Sequence, residues 1–503
     1  MWVLYSERPL RIEELCHALG AEIGSTDLDP DNIPAIQTLL GSCLGLLTLE
    51  ASSSTVRLVH FTLQEHLLSD AILSHSSQST IAEVCLTYLN FRSIGDLSPT
   101  LLSAPKTMPL LEYASRYWGK HTRMGMTENA KRLAAKLLGK FDHHISAKLL
   151  LLHYDWHRRD REPSFPLAGG PTGFTGLHGA SFLGIVEIVA GVLEMKEWDI
   201  NATDCMGSTA LIWAAMKGHE DVVKMLLERE GINPNQADTR FGRTPLSWAV
   251  VNRHEGVVKM LLEREDVNPD HADTEYGRTP LLWAVVNGHE GVVKMLLERK
   301  DVNPDHADTK YGRTPLLWAV VNGHEGVVKM LLERKDVNPD HADTEYGRTP
   351  LLWAVVNRHE DVVKMLLERE DVNPDHADTE SGRTPLSWAA GIGHEGIVKV
   401  LLEQKGVNPD QADTRYSQPP LLWASASRHH GVVKMLLERY DVLTALPDDR
   451  NQVRPPSPRP KQQPGDARPT QPIAVNPYLV IGSSVFLLAF LAYRKHSHSQ
   501  TSR

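Results

Sequence analysis

Apolar and polar positions repeat with a period of 35 residues between residues 209 and 437. Each copy contains two short apolar stretches with helical spacing, and a polar segment rich in Asn, Pro and Asp follows them. One tryptophan marks each copy: Trp213, Trp248, Trp283, Trp318, Trp353, Trp388 and Trp423. A fixed period of this size predicts stacked helical units in a solenoid, because one unit cannot bury its own apolar face and a row of units can.

The copy that begins near residue 279 shows what each unit is made of. Thr279 is placed to cap a first helix, Pro280 suits its first turn, and Gly288 suits the left-handed residue that ends it. A second helix is predicted to open near His289, with an apolar face formed by Val292, Val293, Leu296 and Leu297. Each unit is therefore predicted to be two short antiparallel helices followed by a loop.

The order Thr-Pro-Leu-x-x-Ala, Gly-His, Val-Val-Lys-x-Leu-Leu and Val-Asn resembles the defining positions of the ankyrin repeat. A degenerate earlier copy starts at Thr175 and brings the total to about eight repeats. The resemblance implies a mostly α fold, an ankyrin-repeat solenoid over residues 170–446, and a protein ligand bound on its concave face and loops. The connecting loop is about three residues longer than the family pattern, so longer hairpin fingers are expected.

The copies differ at a few positions, and these are the candidate protein-binding residues. Arginine replaces the turn glycine in three copies, lysine alternates with glutamate after the second helix, and one glycine becomes aspartate. The candidates are Arg253, Arg358, Arg428, Lys300, Lys335, Glu265, Glu370 and Asp361. A non-glycine residue in the left-handed conformation costs ~1 to 2 kcal/mol, so the arginines are either tolerated drift or selected for contact with a partner.

The repeated tryptophans and histidines have competing interpretations. The tryptophans form either an aromatic ligand groove or core packing, and packing is the usual role of a large apolar residue in register on a helix. Four histidines near aspartates suggest a metal site, but packed helices lie roughly 8 to 10 Å apart, too far to share a zinc ion at about 2 Å per bond. These histidines are His271, His306, His341 and His376. No metal, cofactor or catalytic residue is predicted, and the chain is not expected to be an enzyme.

Residues 1–75 predict a winged-helix-like domain. Helices are expected over residues 9–19 and 33–43, strands over 45–50 and 55–61, and a capping box at 62–65 opens the next helix. A winged helix suggests DNA binding, but the second helix has no Lys or Arg and the wing offers only Arg57. No nucleic acid partner is therefore predicted. A helical extension over residues 76–160 follows, with about four helices.

Two N-terminal motifs resemble the winged-helix segment that follows the NACHT ATPase in fungal NLR-like proteins, a segment also named after GPI inositol-deacylase. They are Tyr-Ser-Glu-Arg-Pro-Leu from Tyr5 and Val-Arg-Leu-Val-His-Phe-Thr-Leu-Gln-Glu-His-Leu from Val56. The resemblance implies a role in fungal NLR-type non-self recognition or signalling. In that family an NTPase precedes this segment, whereas Met1 falls at its start here and no Gly-x-x-x-x-Gly-Lys-Ser/Thr loop occurs in the sequence. The chain is thus either a natural short form or a truncated NACHT protein.

The C-terminal end has a different composition. Residues 447–472 are rich in proline and predict an extended linker. Residues 473–493 carry no charge and would span ~30 Å as a helix, the thickness of a bilayer core, so a transmembrane helix is predicted before a short basic tail at 494–503. The alternatives are a helix packed on the protein or a tail without membrane contact. Because no secretory signal begins the chain, a single-pass protein with its bulk in the cytosol is expected, in a membrane that the sequence does not identify.

Charge and cysteine content refine this picture. The net charge of -10 is spread along the chain, which disfavours phosphate binding and favours a protein partner with basic or mixed charge. The four cysteines are scattered and suit a reducing compartment. The sequence predicts a membrane-tethered, non-catalytic recognition adaptor. The alternatives are the regulatory and sensor fragment of a NACHT NTPase whose motor domain is missing from this chain, and a structural membrane scaffold.

Overall fold

The structure, a computed structural model, describes residues 1–50, 52–60, 62, 65–66, 71–101, 103–156, 172–194 and 198–445. Within these ranges, Met1–Thr444 folds as one unit of helices with one two-stranded sheet. The predicted linker, transmembrane helix and basic tail at residues 447–503 lie outside the described residues. Among the helices of the described ranges, none combines the length and the apolar content needed to cross a bilayer.

Three short α-helices, one 3-10 turn (Pro30–Asn32) and one hairpin make up the N-terminal region. The elements are Trp2–Tyr5, Ile12–Gly20, Ile36–Ser42, β1 (Leu47–Glu50) and β2 (Thr55–Leu58), with the strands antiparallel. The predicted order of helix, helix and hairpin is confirmed. Both helices start later than residues 9 and 33. The first begins after Arg11, which forms a bridge with Thr55 of the hairpin, and the second begins after Pro34, which keeps Ile33 extended. The helix predicted at 62–65 lies mostly outside the described residues.

The segment after the hairpin is helical, as predicted. Four helices of 11 to 19 residues and two shorter ones form it: Ala71–Leu89, Arg92–Gly95, Leu111–Met124, Glu128–Leu138, Phe141–His143 (a 3-10 turn) and Ile145–Trp156. Tyr88, Leu110 and Trp118 are almost completely buried between them. The first of these helices runs across residue 75, where the sequence predicted a domain boundary, and that boundary remains a prediction.

A buried polar chain joins the N-terminal region to these helices. The Tyr113 hydroxyl accepts a hydrogen bond from the backbone N–H of Glu7 at 3.0 Å and donates one to His121 Nε2 at 2.8 Å. Burial lowers the pKa of His121 to about 4, so the imidazole is neutral and can accept this bond. The two regions are therefore held together by satisfied polar groups as well as by apolar packing.

The described residues from 176 to 445 contain eight pairs of short helices, which we number as repeats 1 to 8. The pairs are Gly176–Leu183 with Val186–Glu194, Ala210–Lys217 with Glu220–Leu227, Pro245–Val251 with Glu255–Leu262, Pro280–Val286 with Glu290–Glu298, Pro315–Asn322 with Glu325–Leu332, Pro350–Val356 with Glu360–Leu367, Pro385–Ile392 with Glu395–Glu403, and Pro420–Ala426 with His430–Ala445. This matches the total of about eight units predicted, seven from the period and one from the degenerate copy at Thr175.

Repeat 4 shows why the sequence folds in this way. The Thr279 hydroxyl accepts from the backbone N–H of Leu282 at 3.3 Å, Pro280 begins the helix, and Gly288 has a φ of 67° in the turn that follows. His289 precedes the second helix. Residues Leu281, Val292, Val293 and Leu296 are fully buried, and their equivalents in neighbouring repeats form one continuous core. The predicted caps, turn and apolar face are all confirmed.

Tight turns form the loops between repeats. In the loop before repeat 4, the backbone N–H of Asp273 donates to the carbonyl of Arg278 at 2.9 Å and closes the finger. The N–H of Thr274 donates to the carbonyl of Phe241 at 2.8 Å, which joins this finger to the one before it. The fingers are long, as predicted, but the described part of the array has no β-strand in them. Backbone turns, not paired strands, therefore position the residues at their bases.

Candidate interaction surface of the repeat array

Each finger is built around a buried aspartate. In the finger before repeat 5, Asp308 accepts from the backbone N–H groups of Tyr311 at 2.9 Å and Arg313 at 3.3 Å. Its second carboxylate oxygen accepts from the indole N–H of Trp318 at 2.9 Å. The same bond recurs in repeats 2, 3, 4, 6, 7 and 8: Asp204 with Trp213, Asp238 with Trp248, Asp273 with Trp283, Asp343 with Trp353, Asp378 with Trp388 and Asp413 with Trp423, at 2.7 to 2.9 Å. Each finger is thus fixed to the first helix that follows it.

In four of the fingers, an arginine ties the finger to the next repeat. The Arg278 guanidinium lies between two indoles, 4.8 Å from the ring centre of Trp283 and 4.9 Å from that of Trp318. Its Nε is 3.6 Å from the buried carboxylate of Asp308. Arg243, Arg313 and Arg348 are placed in the same way, with ion-pair distances of 3.3, 3.3 and 4.0 Å. Since a desolvated cation–π contact contributes about 2 kcal/mol, this ladder of arginine and tryptophan is a substantial link between repeats.

The tryptophans are mainly packing residues, as the sequence analysis favoured. Trp213 and Trp248 are only 4% and 3% exposed, and the later ones are half-buried against the core. Sequence reasoning missed their bonds to aspartate and arginine. The signal was present, because an aspartate recurs five residues before the arginine of each Gly-Arg-Thr-Pro, as in Asp308 and Arg313.

The histidines link repeats through backbone carbonyls. Nε2 of His306 lies 3.1 Å from the carbonyl oxygen of Gly277, and Nε2 of His341 lies 3.2 Å from that of Gly312. At the start of the second helices, His219 and His254 contact the carbonyls of Phe182 and Met216 at 3.0 and 3.1 Å. In the part of the chain that the structure describes, no group of His, Cys, Asp or Glu is arranged to hold a metal ion.

The candidate binding residues lie on the surface at two separate ends of the helix pairs. All eight are exposed. The turn between the helices carries Arg253, Arg358 and Arg428, with Asp361 in the adjacent first turn of a second helix. The loop after the second helix carries Glu265, Lys300, Lys335 and Glu370. Because the two helices of a repeat are antiparallel, these groups are separated by the length of a helix, and the structure does not bring all eight together.

The three turn arginines are in the conformation that the sequence predicted. Their φ angles are 59° at Arg253, 62° at Arg358 and 60° at Arg428, close to the 67° of the equivalent Gly288. Arg253 has its Nε 3.5 Å from the exposed Glu255, a contact that contributes little in water. The strain of each left-handed arginine is therefore not offset by a strong contact within the described chain.

Comparison with protein families identifies the array. The family described as ankyrin repeats matches residues 133–238, 231–308, 300–378 and 370–445. Together these matches cover more than half of the chain. The chain belongs to the ankyrin-repeat family. The ankyrin match starts at residue 133, inside the segment that the sequence analysis assigned to the helical extension. Residues 1–82 match the winged-helix domain of GPI inositol-deacylase.

Other comparisons add little to the ankyrin assignment. No curated protein matches the sequence. Among solved structures, the ankyrin repeat domain of Bcl-3, described as a unique member of the IkappaB family, is similar at 21% identity with a TM-score of 0.38. The similarity covers 52% of this chain and 97% of that one.

Replacing Asp308 by asparagine should destabilise the ankyrin array by about 3 kcal/mol. The change is nearly isosteric, but it leaves Arg278 buried without its opposite charge, and breaking a buried pair costs that order of free energy. Urea unfolding followed by tryptophan fluorescence measures the effect. Asp301→Asn is the matched control, because Asp301 pairs with Arg299 at an exposed site where such a pair contributes at most about 1 kcal/mol. Equal effects of the two changes would contradict the role assigned to Asp308.

Arg253→Gly and Arg358→Gly should each stabilise the array by about 1 kcal/mol, because glycine adopts positive φ without the steric cost of a side chain. The same unfolding measurement applies. Gly288→Arg provides the reciprocal change and should destabilise, since a Cβ there would meet the His324 ring at 2.8 Å. A loss of stability in the glycine variants would show that the arginine side chains have intramolecular contacts that outweigh the strain.

Proposed function

We propose that this protein is a non-catalytic recognition adaptor whose ankyrin array binds a protein ligand on its concave face and loops. Ankyrin repeats are protein–protein interaction modules, and this supports the general assignment. The observation that carries the proposal is the distribution of differences between copies. Buried positions such as Val292 keep the same residue type from repeat to repeat, whereas the turn and loop positions change charge and size while remaining exposed.

The two exposed groups define what the ligand meets. Arg253, Arg358 and Arg428 present guanidinium groups at the turn end of repeats 3, 6 and 8. At the other end, the charge alternates from Glu265 to Lys300 and Lys335 and back to Glu370. A protein surface of mixed charge complements such a pattern, while the chain's net charge of -10 disfavours a nucleic acid ligand.

The proposed setting is NLR-type non-self recognition or signalling of the fungal kind. The support is the order of segments, because a winged helix of the GPI inositol-deacylase type at residues 1–82 precedes the ankyrin array, as in the NACHT proteins that the sequence resembles. The same observation favours a second candidate, in which this chain is the regulatory and sensor fragment of a NACHT NTPase whose motor domain is missing from this chain. A structural membrane scaffold is the third.

A membrane tether is the remaining part of the proposal. Residues 473–493 are apolar and uncharged, Arg494 and Lys495 follow them, and the proline-rich residues 447–472 provide a spacer from the array. With this segment in a bilayer, the ankyrin array would face the cytosol as part of a single-pass protein.

Glycine at positions 253 and 358 should weaken ligand binding about tenfold, which corresponds to about 1.4 kcal/mol, even though the same changes stabilise the array. The opposite directions separate lost contact from lost folding. The ligand is first identified by photo-crosslinking from position 253 in the full chain, and its affinity for wild type and variants is then measured with purified proteins.

The double variant Lys300→Glu with Lys335→Glu tests the loop after the second helix, at the opposite end of the helix pairs. Repeats 3 and 6 already carry glutamate at this position, as Glu265 and Glu370. Unchanged affinity in both variant sets would mean that neither group contacts the ligand. Recovery of a NACHT NTPase as the crosslinked protein would favour the second candidate function.

The full chain should stay in the membrane pellet after washing with alkaline carbonate, whereas a chain ending at Asp449 should be released. An apolar span buried in the bilayer resists this treatment, and a peripheral protein does not. If both chains are released, the tether is wrong and the adaptor acts without a membrane anchor; ligand binding by the array is tested independently.

A further inference from the structure

Asparagines clamp the loops of the early ankyrin repeats. The Asn235 side-chain oxygen accepts from the backbone N–H of Asn268 at 2.8 Å, and its amide nitrogen donates to the carbonyl of Asp266 at 2.6 Å. Asn201 does the same one repeat earlier, with Asn233 at 2.8 Å and Gly231 at 2.7 Å. One neutral amide therefore satisfies both a donor and an acceptor of the following repeat.

Aspartates occupy the same position in the next four repeats. They are Asp270, Asp305, Asp340 and Asp375. Oδ2 of each accepts from the corresponding backbone N–H, that of Asn303, Asn338, Asn373 or Asn408, at 2.7 Å. The other oxygen, Oδ1, is buried in all four and has no hydrogen-bond partner. The aspartates thus keep the hydrogen bond that the asparagine oxygen accepts, and they lose the one that the asparagine amide donates.

The missing half has a simple physical cause. Asn235 donates to the carbonyl of Asp266, and one period later the same register places the carbonyl of Asp301 beside position 270, where an asparagine would find its acceptor. Two oxygen acceptors that face each other repel, and a buried acceptor left unpaired costs about 1 to 3 kcal/mol. Oδ1 has almost no surface open to solvent. A proton on Oδ1 converts that atom into a donor and restores the geometry of the asparagine clamp.

The surroundings favour the protonated form. Burial raises the pKa of all four carboxyl groups from the usual aspartate value. Charged or titratable groups lie near three of these aspartates. Asp301 and His306 face Asp270. Asp336, His341 and Arg369 face Asp305, and Asp371 and His376 face Asp340. The neighbouring acids add to the rise in pKa, while the backbone N–H bond to each carboxylate opposes it most, followed by the histidines and Arg369.

We propose that Asp270, Asp305, Asp340 and Asp375 are proton-dependent clamps between consecutive ankyrin repeats, closed when Oδ1 is protonated and weakened when it is ionised. A carboxyl whose folded pKa is raised stabilises the fold fully below its unfolded pKa of about 3.9 and loses this contribution as pH rises through the folded value. The loops that are clamped also carry Lys300, Lys335 and Glu370, so acidification tightens one of the two candidate binding groups.

The test is the variant with all four aspartates changed to asparagine, studied as the full chain. Urea unfolding is followed by tryptophan fluorescence from about pH 4.5 to about pH 7.5, a range above the usual aspartate pKa. The variant should unfold at a higher urea midpoint than wild type at neutral pH. The difference between the two midpoints should shrink as pH falls, because wild type then closes the same clamps with protons.

Two further variants make the result specific. Asn235→Asp should lower the midpoint at neutral pH and add a new pH dependence at the clamp between repeats 3 and 4. Asp410→Asn should change nothing, because Asp410 is exposed and lies in the loop before repeat 8, the last repeat described, so no later loop is described that it could clamp. The proposal would be overturned if, at neutral pH, the four-fold variant had a urea midpoint equal to or lower than that of wild type. It would also be overturned if Asn235→Asp had the same midpoint as wild type.

Discussion

A buried carboxylate needs hydrogen-bond donors and an opposite charge, and in this protein those come from two different repeats. Asp308 takes its donors from the turn around it and from Trp318, and its opposite charge from Arg278 in the preceding finger. An ionised group removed from water without such partners costs far more than a domain can tolerate. Each finger therefore requires its neighbour, and the array is stabilised through nearest-neighbour interfaces.

This dependence limits where the chain can vary. Core positions, finger aspartates and ladder arginines contact the next copy, so a change there affects two repeats. The turn between the helices and the loop after them face solvent, and those are the positions where copies differ. Even there the backbone sets a cost, because Arg253, Arg358 and Arg428 are held at positive φ. Such strain persists only where the surrounding fold enforces it, and strained residues often lie at functional sites.

The region before the array is joined to it and is not a separate body. Gly176 and Gly179 of repeat 1 pack directly against Leu138 and Phe141, where a Cβ would collide. The polar chain from Glu7 through Tyr113 to His121 links the winged helix to the same group of helices. The array is thus connected to the winged helix through packed helices.

Local features were well determined by the sequence. The period predicted stacked helix pairs, the Thr-Pro steps predicted the helix starts, and glycine at position 288 predicted a left-handed turn that the arginine copies also adopt. The helix starts and the turn depend on residues that are close in the chain, because helix capping and steric limits on the backbone act over a few residues. Tertiary structure alone decided which repeats exchange contacts. Arg278 pairs with Asp308, 30 residues ahead, and Asp270 accepts from Asn303, 33 residues ahead. A period shows which residues recur, but the spacing of stacked helices decides which copy each side chain reaches.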